Sequence, residues 1–346
     1  MRALCITEFG GIEKARIAEV QKPKPGPGQA LIRVKAAALN HLDIWVIKGR
    51  PGLTLEAPHV LGSDAAGIVE ELGAGCETLG LKTGSEVVLN PGVSCMQCEF
   101  CLRGMQSECP QFKLVGFQLE GVYADFAAVP AVNLFPKPPG MSWAESAALP
   151  LSHLTAWRML FERARLQSGE TVLIHGIGGG VAIAALQLCR LHGATAIVTS
   201  SSDEKLAAAA KLGAVAGINY RKTEDVAAAV KTLTGGRGVD VALDTVGAPT
   251  LGISMGAVRR GGRIVTCGIT GGAQASLNLQ QLYWNHISLL GSTMGSMEDM
   301  RRLIRATNEY GVKPVIDKVY PMADAGKGLA RMEAGEQFGK IVLSIA

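Results

Sequence analysis

Apolar and polar positions follow two rhythms along this chain. In the first 135 or so residues the apolar positions come in short alternating runs: MRALCIT, a second run ending at Val20, LIRVKAAA, AAGIVEEL, SEVVL and GVYADFAAVPAVNLF. Alternation with period two sends successive side chains to opposite faces, as half-buried strands require. Gly10-Gly11, residues 23–28, Pro51 and Pro58 break the runs apart. Between them NHLDIWVIK has helical spacing that puts Asn40, Asp43 and Ile47 on one face. Many short strands with one short helix predict a β-rich, barrel-like domain.

The second rhythm begins at residue 171. Strands are predicted at 171–175, 195–199, 215–219, 239–244, 262–267 and 287–291, and helices at 179–191, 203–212, 223–233 and 249–258. Such alternation builds an α/β domain with a doubly wound parallel sheet. Ser142 with Glu145 three residues on forms a capping box for a helix over 142–149; further helices cover 155–163 and 297–308. The tail, with VIDKVYP and KIVLSI around a small-residue helix, returns to the strand texture and is expected to rejoin the first domain. The predicted division is a β-rich domain of residues 1–152 completed by 297–346, and a parallel-sheet domain of residues 153–296.

The stretch TVLIHGIGGGVAIAALQL joins the first parallel strand to its helix. Four of the five residues 176–180 are glycine, which permits positive φ and close approach of a bulky anion. The helix that follows would turn unpaired N–H groups and its positive dipole end toward a pyrophosphate. A strand before and a helix after make this the context of a dinucleotide fingerprint. Roughly 20 residues past the glycines, an acid would hold the ribose hydroxyls of NAD. Thr199, Ser200 and Ser201 stand there instead. Ser200, Lys205 and Tyr220 are placed to receive the 2′-phosphate of NADP, while Asp203 sits in a first helical turn, an ordinary place for an acid. NADP(H) is the expected cofactor, with NAD(H) the alternative.

Composition narrows the partners. At 346 residues and 48% hydrophobic, the chain can bury two cores. A net charge of +4, scattered along the chain, excludes nucleic acid as the main partner. No run reaches the roughly 18 apolar residues of a membrane span. The start, MRALCITEFGG, lacks the apolar core of a secretory leader, so a cytoplasmic protein acting on a small molecule is expected. Four of the eight cysteines cluster, Cys95, Cys98, Cys101 and Cys109, in a lobe spanning 92–112. Four thiolates suit tetrahedral Zn²⁺, and a metal would supply stability that the lobe's irregular pattern does not. CxxCxxC also resembles iron–sulfur spacing, although the Cys-Pro pair here is Cys109-Pro110; reduced, unligated thiols are the third possibility. The expectation is one structural Zn²⁺ per chain, with no open coordination position.

The cysteine quartet, PHVLGSDAAGIVEELG, LPLSHLTAW and VLIHGIGGGVA together resemble the medium-chain dehydrogenase/reductase superfamily, with its zinc alcohol dehydrogenases and quinone oxidoreductases. The resemblance covers essentially the whole chain. It implies a GroES-like domain formed by both chain ends, a Rossmann domain between them, an active site in the cleft, and a homodimer or homotetramer. It also implies Thr155 beside the nicotinamide ring and Gly268 and Ile269 against its carboxamide, with residues 244–247 along the cofactor. Gly178, Gly179, Gly180 and Val181 would hold the pyrophosphate, with His41 and Lys340 approaching it.

Alcohol dehydrogenases hold a catalytic zinc with a Cys, a His-Glu pair and a second Cys or Asp. The matching positions here are Asn40, Ser63 with Asp64, and Leu151. Asn40 looks like the corresponding Asn of zinc-free quinone oxidoreductases, which usually lack the cysteine quartet, so the chain resembles a hybrid of the two groups. The implied reaction is hydride transfer from NADPH to a quinone or an α,β-unsaturated carbonyl, with Asn40 and solvent donating to the developing oxyanion. Asp43 and Asp64 either assist proton movement or fix the local structure. The alternatives are an alcohol dehydrogenase with Asp64, His59 or His41 as unusual ligands, and a non-catalytic NADP(H)-binding redox sensor. Loops 47–55 and 279–297 are expected to shape the acceptor pocket.

Overall fold

The computed structural model describes residues 1–50 and 54–345. Pro51 and its two successors, part of the loop expected to shape the acceptor pocket, lie outside the described residues. The chain forms two compact units, Met1–Leu154 with Gly295–Ala346, and Thr155–Met294. The breaks fall after Leu154 and Met294, where the sequence pattern put them after 152 and 296.

The first unit is organised on the strand Gln29–Ala38. It pairs antiparallel with Asp64–Leu72 along one edge. Along the other it pairs with Phe126–Pro130 near its start and Lys340–Ser344 near its end. The sheet continues outward through Glu86–Leu89 and Leu134–Pro136 on one side and Ile316–Pro321 on the other. A separate three-stranded sheet joins Arg16–Glu19, Arg2–Ile6 and His59–Val60. Ala36, Ala37 and Ala38 are fully buried, and their small side chains let the helix Trp143–Ala148 pack on the strand. That helix starts as its sequence predicts: the Glu145 N–H donates to the Ser142 hydroxyl at 3.2 Å and the Ser142 N–H to the Glu145 carboxylate at 2.7 Å. The tail rejoins this unit because Lys340–Ser344 completes the central sheet.

The second unit holds a six-stranded parallel sheet in the order Ala216–Asn219, Thr195–Ser200, Thr171–Ile174, Val239–Asp244, Val258–Thr266, Ser288–Gly291. Val172, Leu173, Ile174, Val241, Ala242 and Leu243 are wholly inaccessible, as central strands covered on both faces must be. This is the doubly wound arrangement expected, and strand order reverses beside Thr171–Ile174, so its C-terminal end is the switch point where such folds bind ligands. Two details differ from the sequence pattern. The helix expected at 155–163 is α-helical over Pro150–Trp157 and π-helical over Arg158–Arg163. The helix Leu279–Trp284 was not predicted; it buries no residue, so no apolar stripe marks it. No helix among the described residues is long and apolar enough to cross a membrane.

Candidate active site and metal centre

Three neighbouring strands of the first unit bring their ends together. Gln29–Ala38 finishes where its antiparallel partners Asp64–Leu72 and Lys340–Ser344 begin, so Asn40, Asp64 and Lys340 meet although 300 residues separate the first from the last. All three are buried. The Lys340 ammonium donates to Leu39 O at 2.8 Å, to Asn40 Oδ1 at 2.6 Å and to Asp64 Oδ2 at 3.0 Å, which uses its three protons. The Asn40 amide is oriented by these charges: its oxygen faces the ammonium, while its nitrogen donates to Asp64 Oδ2 at 3.0 Å and Ala38 O at 3.2 Å. Asp64 Oδ1 accepts the Leu151 N–H at 2.8 Å, and the Ser63 hydroxyl donates to Val115 O at 2.7 Å.

Asn40 also caps the helix His41–Lys48, and Asp43 closes that helix start by accepting the Asn40 N–H on Oδ2 at 2.8 Å. Tyr123 brings a hydroxyl to the same carboxylate oxygen at 2.6 Å and to Ala38 O at 2.9 Å. Asp43 Oδ1 is buried without a partner. Burial therefore dominates, and it lifts the Asp43 pKa to about 7 against the pull of those hydrogen bonds and of Lys340. The Tyr123 hydroxyl is raised well above its ordinary value by burial and by Asp43. His41 is pushed down by burial and by the Lys340 charge, which keeps its ring neutral at pH 7.

The four clustered cysteines converge. Their sulfurs lie within 4.8 Å of one another, with Cys95 to Cys109 at 3.5 Å and Cys95 to Cys101 at 3.9 Å. Four sulfurs at about 2.3 Å from a tetrahedral Zn²⁺ stand about 3.8 Å apart, so the quartet fits the ion. The amides of Gln97 and Cys98 point at Cys95 and draw its pKa down to about 6, while against the pull of the Cys101 amide burial and the neighbouring sulfurs push Cys98 up to about 11. All eight cysteines are unbridged. Among the described residues no other group of three or more His, Cys, Asp or Glu side chains is assembled to hold a metal.

In the second unit, Gly176 and Gly178 take φ of 68° and 128°, and the helix Gly180–Leu191 starts directly beyond them with Gly179 as its cap. Its first amides, including those of Gly180 and Val181, have no acceptor within the helix, as a helix start that binds an anion requires. Thr199 supports the turn by accepting the Gly176 N–H at 3.3 Å and, on its carbonyl, the Ile177 N–H at 2.8 Å. Ser200 is buried at the end of its strand and accepts the Ser202 N–H at 3.2 Å. Asp203 is bound by Asn219 Nδ2 at 2.6 Å and by the Lys222 ammonium, and those two bonds hold its carboxyl below the usual range. Tyr220 is exposed beside them. At the far side of the switch point Gly268 lies so close to Thr245 that a Cβ would meet its carbonyl oxygen at 2.3 Å, while Ile269 is exposed. Thr155 is buried, its hydroxyl 3.8 Å from the Met294 sulfur.

Comparison with known proteins decides the family. Residues 26–139 match the alcohol dehydrogenase GroES-like domain and residues 180–309 the zinc-binding dehydrogenase family. A zinc-type alcohol dehydrogenase-like protein of Schizosaccharomyces pombe is 32% identical over 100% of this chain and 99% of its own length. The chain belongs to the medium-chain dehydrogenase/reductase superfamily. A solved NAD-dependent alcohol dehydrogenase superposes on this medium-chain dehydrogenase/reductase with a TM-score of 0.95 at 40% identity, each chain covered completely. The quinone oxidoreductase of Rattus norvegicus is 29% identical over 99% of this chain and 97% of its own. As a member of this superfamily the protein is an NAD(P)H-dependent oxidoreductase with a GroES-like unit and a Rossmann unit.

Several residue roles that the superfamily resemblance implied need correction. Asn40 was expected to donate to an oxyanion, but both its amide protons are committed to Asp64 and Ala38. Lys340 was expected to approach a pyrophosphate, but its ammonium is spent inside the first unit. Asp43, for which a proton-relay role and a structural one were both open, is wholly buried against Asn40 and Tyr123. Tyr123 itself was missed, since nothing local in GVYADF marks a residue whose partner lies 80 positions away. Lys222, which pairs with Asp203 from just beyond the next strand, was missed as well. His59, a possible unusual ligand, sits 3.5 Å from Gly116 O and 3.8 Å from Glu120, outside any ligand set.

Proposed function

We propose that this protein uses NADPH to reduce a quinone or an α,β-unsaturated carbonyl without a catalytic zinc. The observation that carries this reading is the ammonium of Lys340 among Asn40, Asp64 and the Leu39 carbonyl, where the superfamily's alcohol dehydrogenases place metal ligands. The ammonium already pairs with the Asp64 carboxylate, so its repulsion of a divalent ion, roughly 8 kcal/mol at about 4 Å and an effective dielectric of about 20, cancels the attraction that Asp64 would offer. Asn40, Ser63 and Leu151 add no thiolate or imidazole that would favour the ion. Alcohol oxidation at neutral pH needs a group that forms an alkoxide, whereas a conjugated acceptor is already electrophilic.

Bound nicotinamide supplies the hydride. The glycine turn and the first amides of Gly180–Leu191 hold its pyrophosphate, while Thr155, Gly268 and Ile269 orient the ring. The buried cluster of Lys340, Asn40 and Asp64 is a rigid, nearly neutral polar support, and solvent donates to the oxyanion developing on the acceptor and delivers the final proton. Ser200, Lys205 and Tyr220 receive the 2′-phosphate, and the pairing of Asp203 with Lys222 and Asn219 offsets the charge of one acid beside that pocket. The Cys95, Cys98, Cys101 and Cys109 site holds a structural zinc. The edge strand Ser288–Gly291 and the exposed Leu279, Tyr283, Trp284 and Leu289 support association with a second copy, and the unbridged thiols support a cytoplasmic location.

Metal analysis with a substrate panel tests the reading. One zinc per chain, NADPH oxidation by quinones or enones and no alcohol oxidation are expected. A second tightly bound zinc with alcohol turnover would establish an alcohol dehydrogenase instead, and cofactor binding without turnover of any acceptor would establish a redox sensor.

A further inference from the structure

The first unit carries another recognition element on the two segments that flank the Asn40, Asp64 and Lys340 cluster. The helix His41–Lys48 leaves that cluster at its first residue. Asp43, Ile44, Val46 and Ile47 enter the core, while His41 and Trp45, one turn apart, stay half buried on another stripe. Gly49 then takes φ of 78° and turns the chain so that the Arg50 guanidinium lies over the Trp45 ring, 5.4 Å from its centroid. The second segment is residues 115–117. Val115 O accepts the Ser63 hydroxyl, and Gly116 is packed on Gly62 so closely that a Cβ would meet the Gly62 oxygen at 2.3 Å. The next side chain, Phe117, faces the same guanidinium at 6.0 Å. One segment thus runs from Asn40 and the other from Ser63 by way of Val115, and each carries an aromatic ring facing one guanidinium.

Arg50 is exposed, and no carboxylate among the described residues pairs with it. Lys48, two positions earlier, is by contrast neutralised by Glu333 at 2.6 Å. Stacking on two rings fixes the plane of a guanidinium and leaves its N–H edge for a planar, bidentate anion. We propose that Arg50, Trp45 and Phe117 form an acceptor subsite that selects substrates bearing a carboxylate. At about 1.5 Å of helix rise per residue, the backbone of Trp45, whose ring lies under the Arg50 guanidinium, stands roughly 8 Å along the helix from Asn40. The carboxylate is therefore at the far end of an aryl or extended conjugated acceptor, not beside its reducible bond.

This inference rests on the reductase reading, and the test separates the two. Benzylideneacetone bearing a para-carboxylate and the methyl ester of that acid are compared as acceptors with NADPH, in wild type and Arg50→Gln. The wild type is expected to favour the acid over the ester by about tenfold in kcat/KM, the size of one charge-assisted bond. In Arg50→Gln the ratio is expected to fall to about one, and raised salt is expected to shrink it in wild type. A wild-type ratio near one, or a ratio that Arg50→Gln leaves unchanged, overturns the subsite. If neither compound is turned over, the reductase reading fails for enones, and quenching of Trp fluorescence decides the subsite instead. Tighter binding of the acid than the ester in wild type but not in Arg50→Gln upholds it, and equal binding overturns it.

Discussion

Replacing Lys340 by Met removes one charge from a pair in which the lysine side chain is 4% exposed and Asp64 is fully buried. Breaking such a pair costs about 3–5 kcal/mol, because the surviving charge stays in the interior without its partner. The substitution also strands Leu39 O and Asn40 Oδ1, which now accept at 2.8 and 2.6 Å. We expect Lys340→Met to lose about 4 kcal/mol. Adding Asp64→Asn, which removes the stranded charge, should return about 2 kcal/mol of that as coupling. Urea unfolding followed by Trp fluorescence, with the slope m unchanged, measures both effects. NADPH titration of the same variants separates the two roles available to Lys340. An internal counter-ion gives a large stability loss with coupling to Asp64. A pyrophosphate ligand gives a stability loss under 1 kcal/mol with a tenfold weaker cofactor Kd, and that result would refute the reasoning.

Asp43→Asn tests the buried acid. Its folded pKa of about 7 exceeds the roughly 3.9 of an unfolded Asp, so the stability it contributes is full below about pH 4 and is lost as pH rises through about 7. Three units at about 1.4 kcal/mol each set the scale at about 4 kcal/mol. Wild type should lose that much relative to Asp43→Asn across this range, and parallel pH profiles would contradict it. Cys101→Ser should reduce bound zinc from about one per chain to near zero and lower the melting midpoint, as read by elemental analysis and calorimetry; retained zinc would exclude the quartet as its site. Lys222→Glu frees Asp203 and adds a second negative charge, so the kcat/KM preference for NADPH over NADH should fall by about tenfold or more. Gly178→Ala forces a side chain onto φ of 128°, and the cofactor Kd should rise about tenfold, with titration as the check.

Local rules carried much of this protein. Period-two runs announced the strands around Gln29–Ala38, the strand-helix alternation after residue 171 announced the parallel sheet, and Ser142 with Glu145 announced a helix start. Glycine spacing marked the turn before Gly180–Leu191, and the spacing of Cys95, Cys98, Cys101 and Cys109 announced that the four sulfurs would converge, because short loops leave few ways to place those groups. The polar cluster belongs to another scale. A lysine in GKIVL looks like a residue free to reach a phosphate until the pairing of Lys340–Ser344 with Gln29–Ala38 brings it onto Asp64 and Asn40. Tyr123 meets Asp43 only after segments 80 residues apart are side by side, and Lys222 meets Asp203 only once the two consecutive strands before them are paired. Periodicity records which face of an element avoids water. Which charges then share the dry interior is decided by strand order and register, and here those set the ammonium of Lys340 between Asn40 and Asp64.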